Sequence, residues 1–337
     1  MTKHVIHSLD PLRIVVLYGG DSAEREISLQ SGTAVATALS DRGHRVLSVD
    51  PAETPLESVD WPRYDAAFIA LHGQFGEDGC VQNILQAWGV PFTGSDATAS
   101  RMAFSKSASK ERFIACDVPT PAYRLIHVSD SYRQLCETAQ QLGYPLVMKP
   151  DASGSSLGVT FVDGPDQLRR AAEDCFEHGP FGLLERVVDG TEWTLGLFDQ
   201  ERLPLIRIEP QQTFYDYNAK YQDDRTGYCL DPDVSDSARL RIEETGAAAA
   251  RSVGTRGIAR VDLRVDELGQ PWVLEVNTVP GFTDHSLVPK AAERHGWSFA
   301  ELCERAVRSC VKRKLFGPHK SHDRANEPST LPIRQAG

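Results

Sequence analysis

The stretch Ile258-Ala-Arg-Val-Asp-Leu-Arg-Val-Asp-Glu-Leu-Gly-Gln-Pro-Trp-Val-Leu-Glu-Val-Asn277 constrains the fold more tightly than any other part of the chain. Two apolar runs flank a turn signal, Asp266 to Gln270 with Gly269, and so predict an antiparallel hairpin. Centring the turn between Leu268 and Gly269 sets Asp262 opposite Glu275 and Arg260 opposite Asn277, with directly opposed residues roughly 5 Å apart. Strand side chains alternate faces, so Arg260 and Asp262 share a face with Glu275 and Asn277. Two carboxylates and an amide oxygen are hard donors of the kind Mg²⁺ takes, keeping some waters and completing its shell from phosphate oxygens. Arg260 beside them adds a fixed cation for developing negative charge. An exposed hairpin with solvated charges gives the same alternation. The continuation, Thr278-Val-Pro-Gly281, a turn of backbone amides suited to anions, favours a site.

With 337 residues the chain exceeds what one compact core usually occupies, so two or three domains are expected. A formal charge of -11 argues against a general nucleic-acid or membrane-surface binder, though local Lys and Arg can still bind a small anion. The seven Cys are scattered, with no CxxC pair, which reads as reduced thiols rather than a disulfide frame or a zinc site. No apolar run approaches membrane-spanning length and Met1 to Pro11 has no apolar leader core, so a cytoplasmic protein is expected.

Along the chain, strands are predicted at 12–18, 45–49 and 66–71, with a helix carrying Leu29, Val35, Ala36 and Leu39 that ends near Gly43 and another over 77–88. This alternation predicts an open parallel sheet with ligand groups at the strand C-terminal ends. From about Ser105, helices at 106–115, 130–142 and 165–177 punctuate strands at 145–149, 158–162 and 181–187. Strands then dominate at 192–198, 203–208, 258–265 and 272–277, around a polar loop (211–232) and a helix (235–253), before a last helix at about 298–315. The expected division is an N-terminal tail (1–11), an α/β substrate-binding domain (12–104), a central subdomain (105–190), a C-terminal subdomain with the metal site (191–316) and a disordered tail (317–337).

Lys149-Pro-Asp-Ala-Ser-Gly-Ser-Ser-Leu-Gly158 joins two predicted strands, and its small residues allow N–H groups and hydroxyls, those of Ser155 and Ser156 among them, to close over phosphates. It is not a GxxxxGK[ST] loop, and GxGxxG is also missing, which counts against a dinucleotide oxidoreductase. Alone, such a loop is more often a flexible connection. Lys149 ends a buried-looking strand and needs an anionic partner there, for which phosphate would serve. Glu185 and Glu192 follow on a strand and a crossing segment, where they suit either acceptors for a base and sugar or a surface salt-bridge face.

Four ordered motifs carry a family resemblance: Gly19-Gly20-Asp-Ser-Ala-Glu-Arg-Glu-Ile-Ser28, Ala70-Leu-His-Gly-Gln-Phe-Gly-Glu-Asp-Gly79, Phe214-Tyr-Asp-Tyr-Asn-Ala-Lys-Tyr221 and Glu275-Val-Asn-Thr-Val-Pro-Gly-Phe-Thr-Asp-His-Ser-Leu-Val-Pro289. From Leu12 to Phe316 the chain resembles the D-alanine–D-alanine ligase family of the ATP-grasp superfamily. The resemblance implies an α/β protein, an open parallel α/β (pre-ATP-grasp) domain followed by a two-lobed α+β ATP-grasp fold, that joins two D-alanine molecules through D-alanyl phosphate at the expense of ATP. It implies Mg²⁺, two ions with Mn²⁺ as a substitute, on Asp262, Glu275 and Asn277. Lys106, Lys149 and Lys220 would contact ATP phosphates together with Ser155, Ser156 and Asn277, and Glu185 and Glu192 the adenine and ribose. Glu24 would hold the first D-alanine's ammonium in a trio with Ser155 and Tyr221, while Arg260 and the Gly281 N–H would stabilise the oxyanion. Ser286 would bind the second substrate's carboxylate with His72 nearby, although His72 could equally be a structural histidine at a strand end. A homodimer is implied as well. Another ATP-grasp ligase, one joining D-alanine to D-lactate or D-serine, and a non-catalytic nucleotide-binding regulator are the competing readings. Ser105 stands before Lys106 where the family more often has Asp, and the tail after Phe316 has no family counterpart.

Overall fold

The computed structural model describes residues 10–209, 227–283 and 286–316. The first unit is a three-stranded parallel sheet in the order β2–β1–β3, from β1 (Arg13–Leu17), β2 (Arg45–Val49) and β3 (Ala66–Ile69), with α1 (Arg25–Asp41) and α2 (Cys80–Ala87) between and after the strands. β1 reads as a continuous apolar run because both its faces are buried. Ile14 and Val16 point into one core with Val35 and Leu39 of α1, while Val15 and Leu17 point into the other with Val81 and Leu85 of α2.

Next come α3 (Ala97–Phe104) and α4 (Lys106–Ala115), each started by a side-chain cap. Asp96 accepts from the N–H groups of Thr98 and Ala99, and Ser105 from that of Ala108. A four-stranded antiparallel sheet, β4–β7–β5–β6, is then built from β4 (Tyr123–His127), β5 (Leu146–Pro150), β6 (Thr160–Val162) and β7 (Phe181–Arg186). α5 (Tyr132–Leu142) and α6 (Leu168–Phe176) cover one of its faces, where Leu146, Met148 and Leu184 meet Leu135 and Leu168. α5 begins with a capping box between Ser131 and Gln134.

The largest sheet runs β11–β10–β8–β12–β13 with β9 paired to β8, from β8 (Thr191–Phe198), β9 (Glu201–Arg202), β10 (Ile206–Glu209), β11 (Gly227–Leu230), β12 (Ile258–Val265) and β13 (Pro271–Asn277). α7 (Asp236–Val253), capped by Ser235 and closed by Gly254 at φ 88°, packs on it together with α3 and α4. α8 (Leu287–Arg294) and α9 (Phe299–Phe316) follow, and α9 returns to pack on α1 and β3 of the first unit.

Several boundaries depart from the sequence reading. The strand expected at 203–208 starts only at Ile206, as β10, after Pro204, which has no N–H for the ladder, and β9 just before it lies outside any expected strand. Residues 227–230 of the expected loop form β11, an edge strand paired to β10. α3, β4 and α8 are short segments, of eight, five and eight residues, that the sequence reading does not contain. The expected tails fall outside the described residues, except 10–11 at the start, as does the loop from 211 to 226. Among the described residues no helix is long and apolar enough to cross a membrane, and no cysteine is disulfide-bonded.

Candidate active site

The β5–β7 face turned away from α5 and α6 looks across a cleft of about 1050 Å³ to the β12–β13 hairpin. Strand alternation puts Leu146 and Met148 in the core and leaves Val147 and Lys149 facing the cleft, with Glu185 on the neighbouring β7. Val147, Leu157, Val159, Phe161 and Leu274 give this cleft apolar walls, and Ser156, Glu192 and Asp262 also line it. Glu192 lies 4.0 Å from Arg264.

Lys149 does have an anionic partner within the chain, Glu185. Lys149 Nζ donates to Glu185 Oε1 at 2.8 Å, and Lys110 Nζ lies 2.5 Å from Oε2. Glu185 is only 3% exposed, a depth at which a carboxylate persists only when paired. Burial pushes its pKa up, but Lys110 and Lys149 outweigh burial and hold it below the ordinary carboxylate value. Burial also pushes Lys110 down to about 8, against the pull of Glu185. The sequence reading missed Lys110, although Lys106, Ser109, Lys110 and Phe113 are buried at the i, i+3, i+4, i+7 spacing of one helix face.

In the hairpin, Arg260 pairs with Asn277 and Asp262 with Glu275, the register expected from the sequence. The turn itself does not produce it. Val265 pairs with Pro271, Arg264 with Trp272 and Leu263 with Val273, and a β-bulge between Asp262 and Leu263 shifts the pairing by one. Val273 and Val276 both enter the core, so Leu274 and Glu275 together face the cleft. Extended without the bulge, the turn-side register would set Glu275 opposite Val261, whose side chain is fully buried in the core.

Asp262 is gripped from two sides. Arg260 Nε donates to Oδ1 at 2.9 Å and Nη2 to Oδ2 at 2.8 Å, and Thr194 Oγ donates to Oδ1 at 2.7 Å. Glu275 lies 3.5 Å from Lys106 Nζ, which donates to the Ser153 carbonyl at 2.5 Å. The donor set fits a hard divalent cation: two carboxylates and the Asn277 amide sit on adjacent strands, with no sulfur or imidazole among them. Among the described residues no three His, Cys, Asp or Glu side chains form a cage. Such a cation would therefore need further oxygens from a bound phosphate.

Behind the hairpin lies a smaller cleft of about 580 Å³, whose lining includes Glu24, His72, Glu77, Arg260, Asn277 and Gly281. Lys106, Ser153, Gly154 and Glu275 line both clefts. Glu24 stands at the start of α1 but does not cap it; its carboxylate accepts from Ser155 Oγ. The glycine–serine loop reaches it because Gly154 has no side chain: a Cβ there would collide with Glu24, and one at Gly73 would sit 2.8 Å from Oε2. Burial, and next the charge of Glu77, raise the Glu24 pKa above its ordinary value, against Ser155, His72 and Lys106.

The turn before α1 is itself held. Asp50 accepts from the Gly20 N–H at 2.9 Å and pairs with Arg25 at 2.7 Å, while Arg25 also donates to the Gly20 carbonyl. His72 is 3% exposed and both its ring nitrogens are used: Nδ1 lies 3.1 Å from the Val279 carbonyl and Nε2 3.1 Å from Ser31 Oγ. Donation to a carbonyl places the proton on Nδ1 and makes Nε2 the acceptor. His72 thus ties the end of β3 to the segment leading to Gly281.

Ser286 lies just before α8 and next to Gly281, where it accepts from the Thr283 N–H at 3.0 Å. Lys220 and Tyr221 lie outside the described residues. Sequence reasoning missed Glu77 as well as Lys110, and it missed Asp151. The Asp151 carboxylate accepts from Ser105 Oγ at 2.8 Å and from the Ser107 N–H at 2.7 Å, so it fixes the start of α4 and hence Lys106.

The family described as D-ala D-ala ligase C-terminus matches residues 113–308, and that described as D-ala D-ala ligase N-terminus matches 50–95. The D-alanine--D-alanine ligase of Dechloromonas aromatica is 41% identical over 88% of this chain and 96% of its own length. That of Nitrosomonas europaea is 42% identical, again over 88% and 96%. Among solved structures, the Bacillus anthracis D-alanine--D-alanine ligase superposes with a TM-score of 0.78 at 30% identity, covering 90% of this chain and 99% of that one. The same enzyme complexed with ATP gives 0.77, covering 91% and 99%. The VanG D-Ala:D-Ser ligase of Enterococcus faecalis also gives 0.77, at 25% identity, covering 90% and 100%.

Proposed function

The chain belongs to the D-alanine–D-alanine ligase family, and from that premise we propose that it joins two D-alanine molecules at the expense of ATP, with the two clefts taking the nucleotide and the amino acids. The shared wall carries this reading. Lys106, Ser153, Gly154 and Glu275 border both clefts, so a phosphate at the end of the large one meets a carboxylate at the end of the small one. In the first step a carboxylate oxygen of one D-alanine bonds to the γ-phosphorus as the bond to ADP breaks. In the second, the amine of the other D-alanine bonds to the carbonyl carbon, a proton is released and phosphate departs.

Phosphoryl transfer asks mainly for alignment and charge neutralisation. Lys106 and Lys149 offer both along the large cleft, whose apolar walls suit a flat base and whose Glu192 suits a ribose hydroxyl. Asp262, Glu275 and Asn277 would hold Mg²⁺, or Mn²⁺ in its place, which neutralises phosphate charge when bound. Glu24 would pair with the first ammonium. Arg260 and the Gly281 N–H would face the tetrahedral oxyanion, and Ser286 with the start of α8 would receive the second carboxylate. The glycine–serine loop excludes water from an acyl phosphate that hydrolyses readily. On this reading 12–104 binds substrate, 105–190 and 191–316 are the two lobes around ATP, and the assembly is a homodimer.

Incubating the protein with ATP, Mg²⁺ and D-alanine should give ADP and D-alanyl-D-alanine by mass spectrometry. ADP release indifferent to D-alanine, with no dipeptide, would sink the proposal.

A further inference from the structure

Lys110 has no exposed surface, and it lines neither cleft. Its ammonium meets Glu185 Oε2 at 2.5 Å and donates to Thr120 Oγ at 2.6 Å, and it lies 5.5 Å from the centroid of the Tyr123 ring. Thr120 in turn donates to the Val273 carbonyl of β13 at 2.8 Å. Replacing buried ion pairs by apolar groups is often neutral or stabilising, so stability alone gives little reason for a lysine here.

The geometry around Glu185 supplies another. Glu185 holds Lys149 through one oxygen and Lys110 through the other. With Lys149 alone, the carboxylate would cancel the charge of the cleft lysine and leave its second oxygen uncompensated at the back of the wall. With both, the cluster carries two ammonium groups against one carboxylate, and the surplus charge sits on the member that faces the cleft.

We infer that Lys110 is a positioning residue of the large cleft: from behind the wall it offsets and orients Glu185, and so leaves the Lys149 charge available to the polyanionic nucleotide. The inference rests on the reading of that cleft as the nucleotide site.

The test uses the full-length protein and measures Mg·ATP binding by calorimetry and KM for each substrate, for the unaltered chain, Lys110→Met, Glu185→Gln and the double variant. Lys110→Met should weaken ATP binding about tenfold or more while KM for D-alanine stays within about twofold, because a buried carboxylate left with Lys149 alone acts on its own neighbourhood. On the Glu185→Gln background the same substitution should add little, since the charge it offsets is gone. A merely structural lysine would instead give equal losses on both backgrounds, or would raise both KM values together, and either result overturns the inference. Should Lys110→Met fail to fold, Lys110→Gln, which keeps a donor and removes the charge, carries the same expectations. No ATP binding by the unaltered protein would overturn the nucleotide reading and this inference with it. Normal binding by both the unaltered and the substituted protein would overturn the inference alone.

Discussion

The two clefts share a wall, yet they handle charge in opposite ways. In the large cleft the carboxylate of Glu185 is already answered by two lysines, which leaves that cluster one positive charge in surplus. In the small cleft Glu24 and Glu77 sit near each other, and burial together with their mutual repulsion raises the Glu24 pKa. One side is therefore arranged to receive a polyanion, and the other holds a carboxylate whose charged form is completed by a cation from outside. The difference suits an acid-activating site with two compartments: Lys149, which lines only the large cleft, would in the small one compete with a substrate ammonium for Glu24.

Arg260 lines the small cleft and grips Asp262, which lines the large one, so its loss should have the largest effect. Arg260→Met should lower kcat about a hundredfold to a thousandfold, as removal of one oxyanion donor does elsewhere. Because Arg260 also grips Asp262, binding of Mg²⁺ with ATP should be measured alongside. A kcat near that of the unaltered chain would break the assignment of Arg260.

Glu24→Gln separates the compartments. It removes one charge-assisted contact, so KM for D-alanine should rise about tenfold or more while the affinity for ATP is unchanged. If ATP binding falls in step, the two clefts are not independent.

The smallest effect sharpens the comparison through pH. A protonated Glu24 cannot attract an ammonium, so D-alanine binding weakens as pH falls through its raised pKa. Glu77 is the second cause of that rise, after burial. Glu77→Gln removes that repulsion, lowers the Glu24 pKa and should move the acid limb of kcat/KM for D-alanine to lower pH. His72 and Lys106 both pull the Glu24 pKa down, and they act in the same direction before and after the change. A limb that stays put, or moves up, would show that Glu77 does not act on Glu24.

The sequence made β1, β2 and the β12–β13 hairpin legible because their apolar patterns are long and regular. It also placed Asp262 opposite Glu275, but for an incomplete reason. The turn-side pairing is offset by one from the site-side pairing, and only the bulge, foreshadowed by the adjacent Val273 and Leu274, brings Glu275 to the cleft. Lys110 escaped because Lys106-Ser-Ala-Ser-Lys-Glu-Arg112 reads as a solvated helix surface; what buries it is the approach of β5 and β7, which no local pattern records. The Glu24–Ser155 contact, joining residues 131 apart, needs the glycine–serine loop to cross between units, and spacing along the chain says nothing of that. α3 and α8 are eight residues each, and what fixes them is packing against later elements: α3 lies against β13 and α7, and α8 against β8 and α9.

The return of α9 onto α1 and β3 bears on the order in which the molecule is made. Leu302, Val307 and Cys310 share one apolar core with Ile14, Val16 and Leu39, so the sheet synthesised first lacks part of its covering until almost the last described residues leave the ribosome. Domains generally fold as units during synthesis, the N-terminal one first. Here the earliest unit keeps part of its apolar core uncovered, beyond what α1 shields, while both later sheets emerge, and that core is completed only once α9 has been made.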